Sequence, residues 1–233
     1  MDLFSGVGGV GRAMRRLGYK VVSVDIKHGA SHDLSCRRVQ RRILRLLRGG
    51  RVAAVMPGTP CTSFSLARNR TRVVRTSQFP WGLPDKSDWT DNDINSVKVG
   101  NKLARFTLQV LHLCQELSIP WCLENPFSSH LFKLPGIVKL RDAGHVVFHR
   151  VCMCAFGARW RKPTGLLFGN VDLSKIHHYC TGNCKNHNGC CQFRRGRRHI
   201  ILSGSAPSGV PWTRIAQAYP VRFSDALAQV LHT

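Results

Sequence analysis

Acid is what this chain lacks. It carries twelve Asp and Glu against thirty-five Lys and Arg, a formal net charge of +23 over 233 residues. The shortage is local as well as global. Between Leu34 and Pro84 there are eleven arginines and no acid, and from Leu173 to Ser224 eight Lys or Arg and again no acid. Two such stretches repel one another unless a polyanion neutralises them, which points to nucleic acid as the partner. A membrane surface is the rival, because Arg37 to Arg51 has the makings of a basic amphipathic helix.

Long apolar runs are missing too. None approaches the ~18 residues of a membrane span, and no basic-then-apolar leader opens the sequence. There is no internal repeat and no low-complexity tract. The 43% hydrophobic content is still enough for a packed core, which argues against wholesale disorder. The length suits one domain, or one core with a small appendage. We therefore expect an intracellular, monomeric domain without a membrane partner. Because the chain starts almost inside its first strand, we expect it to be part of a longer polypeptide.

Ten cysteines raise the question of a disulfide scaffold. Six of them (Cys36, Cys61, Cys114, Cys122, Cys152, Cys154) are scattered through apolar or motif segments, where a free thiol behaves as a small hydrophobe. The other four crowd between Cys180 and Cys191. That distribution suits a reducing compartment, nuclear or cytoplasmic, with one local metal or structural cluster.

Hydrophobic periodicity organises the rest. Met1 to Phe4 reads as a strand, Val10 to Leu17 as a helix, and Tyr19 to Asp25 as a second strand. Arg37 to Leu47 makes a helix with an apolar stripe of Val39, Ile43 and Leu46/Leu47, and Val52 to Met56 a short buried strand. A loop from Pro57 to about Asn95 leads to a helix over Asn101 to Leu117. Strands are expected at Trp121–Leu123, His145–Cys154 and Gly165–Phe168, and Thr213–Leu231 returns to helix. Alternating strands and helices predict an α/β fold, a mainly parallel sheet with helices on both faces. Residues 1–169 would form the core, 170–211 a small Cys/His-rich insertion, and 212–233 helices returning to the core. Ligands in such sheets sit beyond the carboxyl ends of the strands, so the informative residues should lie in the turns.

Four turns carry chemistry. Asp2-Leu-Phe-Ser-Gly-Val-Gly-Gly follows a strand and opens a helix, where glycines let a ligand approach the backbone. Asp25 ends the next strand, where a carboxylate can accept hydrogen bonds from a ribose; the alternative is a turn or cap residue. Cys61, in Met56-Pro-Gly-Thr-Pro-Cys-Thr-Ser-Phe-Ser, sits between prolines and small hydroxyl residues at a strand's end, which suits attack better than packing. Glu124, one of only two glutamates, follows an apolar strand, where burial would raise its pKa toward proton-transfer duty; helix capping is the alternative.

These residues resemble the cytosine-5 DNA methyltransferases. Asp2 to Gly9 looks like that family's cofactor loop, Pro57-Gly-Thr-Pro-Cys61 like its Pro-Pro-Cys nucleophile loop, and Leu123-Glu124-Asn125 like its Glu-Asn-Val motif. Phe156-Gly-Ala-Arg-Trp-Arg161-Lys-Pro and Thr213-Arg-Ile-Ala-Gln-Ala-Tyr-Pro are similar to two later segments, and the order is the family's. The family's Gln after the nucleophile is Thr62 here, its Val after Glu-Asn is Pro126, and its large target-recognition region shrinks to about 170–211. The resemblance implies a Rossmann-like methyltransferase fold and S-adenosylmethionine as cofactor. It implies a catalytic set of Cys61, Glu124 and Arg161. Phe4, Ser5, Gly6, Gly8, Gly9, Asp25, Ile26 and Asp33 would hold the cofactor. DNA rather than RNA is the expected polymer. Because one branch of the family methylates transfer RNA, RNA is an alternative, as is a non-catalytic relic that only binds nucleic acid.

Outside the resemblance, Cys180-x3-Cys184-x5-Cys190-Cys191 with His177, His178, His187 and His199 offers soft metal ligands. We expect structural zinc on Cys180, Cys184, Cys191 and His199, the alternative being a metal-free thiol-rich loop. Arg194, Arg195, Arg197 and Arg198 would then form a phosphate-contacting finger. Arg68, Arg70, Arg72 and Arg75, just after Cys61, are expected to clamp phosphates beside the target base. Trp81 and Trp89 can stack on a base or pin their own loop, and we expect pinning.

Overall fold

The computed structural model describes residues 1–144, 146–171, 176, 179–184, 187–188 and 190–232; the side chains of 70, 183, 184, 187 and 188 lie outside the description. It is a mixed α/β protein. Three short parallel strands, β1 (Asp2–Leu3), β2 (Ser23–Val24) and β3 (Met56–Pro57), form a sheet in the order β2-β1-β3. A second sheet has β4 (Trp121–Pro126), β5 (Val146–Cys152) and β6 (Pro163–Gly169) in the order β4-β6-β5, with β6 antiparallel to both neighbours. A parallel bridge between Val55 and Trp121 joins the two sheets. Of the six strands in these two sheets, five thus run one way and β6 is reversed.

Side-chain alternation along these strands builds two cores. Leu3, Val24, Val55, Trp121, Leu123 and Leu167 point to one face. There they meet α2 (Arg37–Arg48), α3 (Asp91–Glu116) and α4 (Pro135–Asp142). Met56, Cys122, Leu166 and Phe168 point to the other face, against α1 (Gly9–Arg16) and α6 (Val221–Leu231). A strand buried on both faces has no polar side to show, which is why these segments read as continuous apolar runs. On α2 the buried stripe is Val39, Ile43 and Leu47, while Arg37, Arg38, Arg41, Arg42, Arg45 and Arg48 are exposed. No helix among the described residues is long and apolar enough to cross a membrane.

Boundaries moved where local chemistry overrode periodicity. Helix α3 starts at Asp91, ten residues before the expected Asn101, because Thr90 and Asp93 form a reciprocal capping box. The expected helix over Thr213–Leu231 is two: α5 (Trp212–Ile215) and then α6, preceded by Pro220, whose ring cannot continue a helix. In the insertion, β7 (Asn183–Cys184) and β8 (His187–Asn188) pair as a short hairpin.

Gly165, in β6, marks a close approach. A β-carbon there would lie 2.7 Å from Phe132 and 2.9 Å from Phe148, two rings whose centroids are 4.8 Å apart. Gly165→Ala is expected to cost about 1–3 kcal/mol through overpacking, read as a lower urea midpoint at unchanged m-value.

Candidate active site

The chain crosses from one side of β1 to the other between β2 and β3, so the carboxyl ends of β1 and β3 flank a switch point. The turns after both strands meet there. Phe4 adopts a left-handed backbone (φ 57), as do Gly6 (φ 55) and Gly8 (φ 70), which caps α1. A β-carbon on Gly6 would meet nothing within 4 Å, so this turn is open. Asp25 ties it to the turn after β2: one carboxylate oxygen accepts from the Gly6 amide at 2.8 Å, the other from the Lys27 amide at 2.9 Å. Ile26, beside it, is 59% exposed. Ser5 hydroxyl lies 3.5 Å from a ring nitrogen of His28.

Two of the expected cofactor residues have local work of their own. Gly9 is small because α6 needs the space: a β-carbon would come 2.7 Å from the Ser224 hydroxyl. Asp33 directs its carboxylate oxygens to the amide and hydroxyl of Ser35, at 2.8 and 2.9 Å, as a turn residue does.

Cys61 stands in the turn after β3. That turn is fixed by its backbone: the amides of Phe64 and Ser65 donate to the Cys61 carbonyl at 2.9 and 2.8 Å, and Gly58 donates to Leu3 at 2.9 Å. Asn125 also reaches across, its side-chain amide donating to the Thr59 carbonyl at 2.7 Å. The neighbour of Asn125, Glu124, is 7% exposed. One of its carboxylate oxygens accepts from the Tyr219 hydroxyl at 2.6 Å. The other is buried with no hydrogen-bond partner among the described residues. A carboxylate oxygen held out of water without a donor is costly, so it marks a position where a polar ligand can gain binding energy.

Because β6 runs against β4, its first residues arrive at the same end of the sheet where β4 finishes: Pro126 lies opposite Thr164. This brings Lys162 in. Its backbone is left-handed (φ 35), a strained conformation for a side chain before proline, and its ammonium donates to the Ala216 carbonyl at 2.9 Å. Burial and the negative charge of Glu124 push the Cys61 thiol pKa up, and the Lys162 charge draws it down. Burial, then Glu124, also hold the Tyr219 hydroxyl well above the ordinary phenol range, so it stays a donor. Cys61, Glu124, Lys162 and Tyr219 form one electrostatic unit.

The structure gives four of the expected arginines partners within the protein. Arg161 is turned to the insertion, where it donates to the Cys180 carbonyl and the Tyr179 hydroxyl, both at 2.8 Å; the cation that bears on Cys61 is its neighbour Lys162. Arg75 is no phosphate clamp, being fully buried. Arg68 pairs with Asp93, and Arg72 with Asp88 and Asp93 at 3.2 and 3.3 Å, so both brace the loop. The side chain of Arg70 lies outside the described residues. The two tryptophans line one hollow, with the Arg105 guanidinium 4.9 Å over Trp81 and the Lys86 ammonium 5.8 Å over Trp89. Of the finger, Arg195, Arg197 and Arg198 are exposed, while Arg194 donates to the Arg159 carbonyl at 3.2 Å.

The metal ligands also regroup. Cys154, Cys180, Cys191 and His199 lie with their donor atoms within 4.8 Å of one another and can hold a metal ion. The side chain of Cys184 lies outside the described residues, and Cys154, from the core, was not in the expected set.

No model of a known protein family matches this chain, and no curated protein does.

Tyr219 and Lys162 both lie inside the two later segments that resemble the family's, yet neither residue type is diagnostic there. Tyr219→Phe removes only the hydroxyl. We expect it to leave Glu124 without its donor and to lower stability by about 1–3 kcal/mol, measured by urea unfolding.

Proposed function

We propose that this chain transfers a methyl group from S-adenosylmethionine to carbon 5 of cytosine in DNA, with Cys61 as nucleophile. The observation that carries the reading is the grouping of Cys61 with Lys162 and a buried Glu124 that has one oxygen on Tyr219 and the other unpartnered. The motif resemblance and the strand arrangement, with β6 reversed and helices on both faces, support a Rossmann-like methyltransferase core.

The turn residues fit the cofactor in chemistry. An open glycine turn at a helix N-terminus suits a carboxylate, the Asp25 oxygens retain lone pairs for a ribose, and exposed Ile26 offers an apolar face to adenine. S-adenosylmethionine bound there supplies an electrophilic methyl group. The chain's own residues do the rest. Carbon 5 of cytosine is a weak nucleophile until the Cys61 thiolate adds at carbon 6 and moves the ring's electron pair toward carbon 5. A proton delivered from Glu124, steadied by Tyr219, to ring nitrogen 3 neutralises the negative charge that thiolate addition moves onto the ring, and the resulting carboxylate accepts from the amino group. Lys162 favours the thiolate. After carbon 5 has gained its methyl group, a base takes the carbon 5 proton, the freed pair re-forms the 5,6 double bond, and the thiolate leaves carbon 6. The base must leave the helix to reach these groups.

Labelled S-adenosylmethionine incubated separately with cytosine-containing DNA and RNA, followed by nucleoside analysis, tests the reading. We expect 5-methylcytosine in DNA. Label confined to RNA would reassign the substrate, and label on adenine or a ribose oxygen would overturn the mechanism. Cofactor-independent binding without methyl transfer would leave a nucleic-acid-binding relic.

The exposed arginines carry a separate expectation. If Arg195, Arg197 and Arg198 each meet a phosphate, their triple alanine variant should reduce the slope of log affinity against log salt by roughly 2.7, at about 0.9 per contact on duplex DNA. Titrations at several salt concentrations read this directly.

A further inference from the structure

We propose that Cys154, Cys180, Cys191 and His199 bind one zinc ion in a closed, four-coordinate site that fastens the arginine-bearing insertion to the core. The site goes beyond the methyl-transfer reading and does not depend on it.

The geometry is that of a first coordination sphere. Four donors within 4.8 Å of one another need little contraction to reach tetrahedral zinc, where bonds of about 2.3 Å to sulfur and 2.0–2.1 Å to nitrogen bring the ligands a little under 4 Å apart. The Cys180 sulfur and a ring nitrogen of His199 are already at 3.8 Å. All three cysteines are buried and His199 is half-buried. Three thiolates and an imidazole are a soft set with no carboxylate, which favours zinc over magnesium, calcium or manganese. With four protein ligands there is no open position, so the role is structural rather than catalytic. On binding, the three thiols lose their protons to solvent and give one thiolate bond each; the imidazole binds neutral.

The surroundings say why a metal is needed. Where the insertion meets the end of β5, the packed cluster is Cys152, Cys154, Cys180 and Cys191, with no larger apolar side chain in it. A small appendage whose described residues meet the core here only through cysteines gains most from a staple. Cys152 is not the fourth ligand: its thiol donates to the Cys180 carbonyl at 3.6 Å. The loop after Cys191 closes tightly, with the Gly196 amide donating to the Cys191 carbonyl at 3.1 Å and the Cys191 amide to Arg197 at 3.0 Å. A metal on Cys191 and His199 therefore holds both ends of the arginine finger, and Cys154 anchors it to the core.

Elemental analysis of the full chain purified under reducing conditions should give one zinc per chain. Cobalt substitution should show sulfur-to-metal charge transfer and the visible bands of a tetrahedral ion. Cys154→Ser should lose the stoichiometric metal while Cys184→Ser and Cys190→Ser keep it. Chelation of the wild-type protein should weaken nucleic-acid binding without affecting cofactor affinity, which separates failure of this site from failure of the methyl-transfer reading. Metal-free protein that folds and binds normally would overturn the proposal. So would zinc that survives Cys154→Ser but not Cys184→Ser, or a disulfide among the three cysteines in the unreduced mass. Should Cys154→Ser not fold, the cobalt spectrum of the wild-type chain still decides between tetrahedral thiolate ligation and none.

Discussion

Cys61→Ala should abolish methyl transfer, with kcat down on the order of 10^4-fold or more, as for other lost covalent nucleophiles, and S-adenosylmethionine affinity unchanged. Cys61→Ser should behave alike, because a hydroxyl is a far weaker nucleophile at neutral pH. The environment of the thiol adds a pH signature. Burial and the Glu124 charge raise its pKa above the ordinary value, and Lys162 only offsets this in part. The free enzyme then holds Cys61 as the neutral thiol at pH 7, and single-turnover rates should climb with pH as the thiolate fraction grows. Lys162→Gln removes the one favourable charge and should slow transfer most at neutral pH, moving the rise to higher pH. A substrate with 5-fluorocytosine should trap the adduct on Cys61, since fluorine cannot leave as the proton does. Normal turnover by Cys61→Ala would end the cytosine-5 assignment even if the cofactor turn is right, and point to different methyl-transfer chemistry on the same sheet.

Much of this arrangement was legible before any coordinates, because it rests on local signals. The stripe of Val39, Ile43 and Leu47 gives α2, and the apolar runs ending at Leu3, Met56 and Leu123 give buried strands whose following turns must share one end of the sheet. What could not be read depends on partners far away in sequence. Tyr219 reaches Glu124 across ninety-five residues. Cys154 joins thiols of the insertion only because β5 ends beside them. The Lys162 charge bears on Cys61 because β6 is reversed and starts at the end of the sheet where β4 finishes, and a strand's direction has no signature in its own composition. Charge misled in one way: an arginine-rich, acid-free stretch reads as a solvated or phosphate-facing surface, and nothing local separates the arginine that is buried from those that are not.

Arg75 is that arginine, and its removal should be among the most destabilising single changes in the chain. The guanidinium has no exposed surface and no acidic partner among its hydrogen bonds. It donates instead to the Ser63 carbonyl and hydroxyl at 3.0 and 2.9 Å, to Pro80 at 2.6 Å, to the Asn101 side chain at 2.8 Å and to Val97 at 3.3 Å. Its face lies 3.8 Å over the ring of Phe64. Desolvation lowers its pKa to about 10, so it remains charged at neutral pH, surrounded by carbonyl dipoles in place of water. The planar fork with its five donors joins the Cys61 turn, the loop at Pro80 and the body of α3 at one point. Gly100 lets α3 come that close, since a β-carbon there would sit 2.5 Å from the Ser63 hydroxyl. Arg75→Ala leaves a cavity and several buried acceptors without donors, and should cost about 3–5 kcal/mol. Arg75→Lys should recover little, because an ammonium cannot span the same acceptors. Both should show a lower urea midpoint, and activity should fall with the fraction folded and with the disorder of Ser63 and Phe64 beside Cys61. An Arg75→Ala protein that unfolds at the wild-type urea concentration, but binds DNA with a shallower salt dependence, would restore the phosphate contact and refute the buried role.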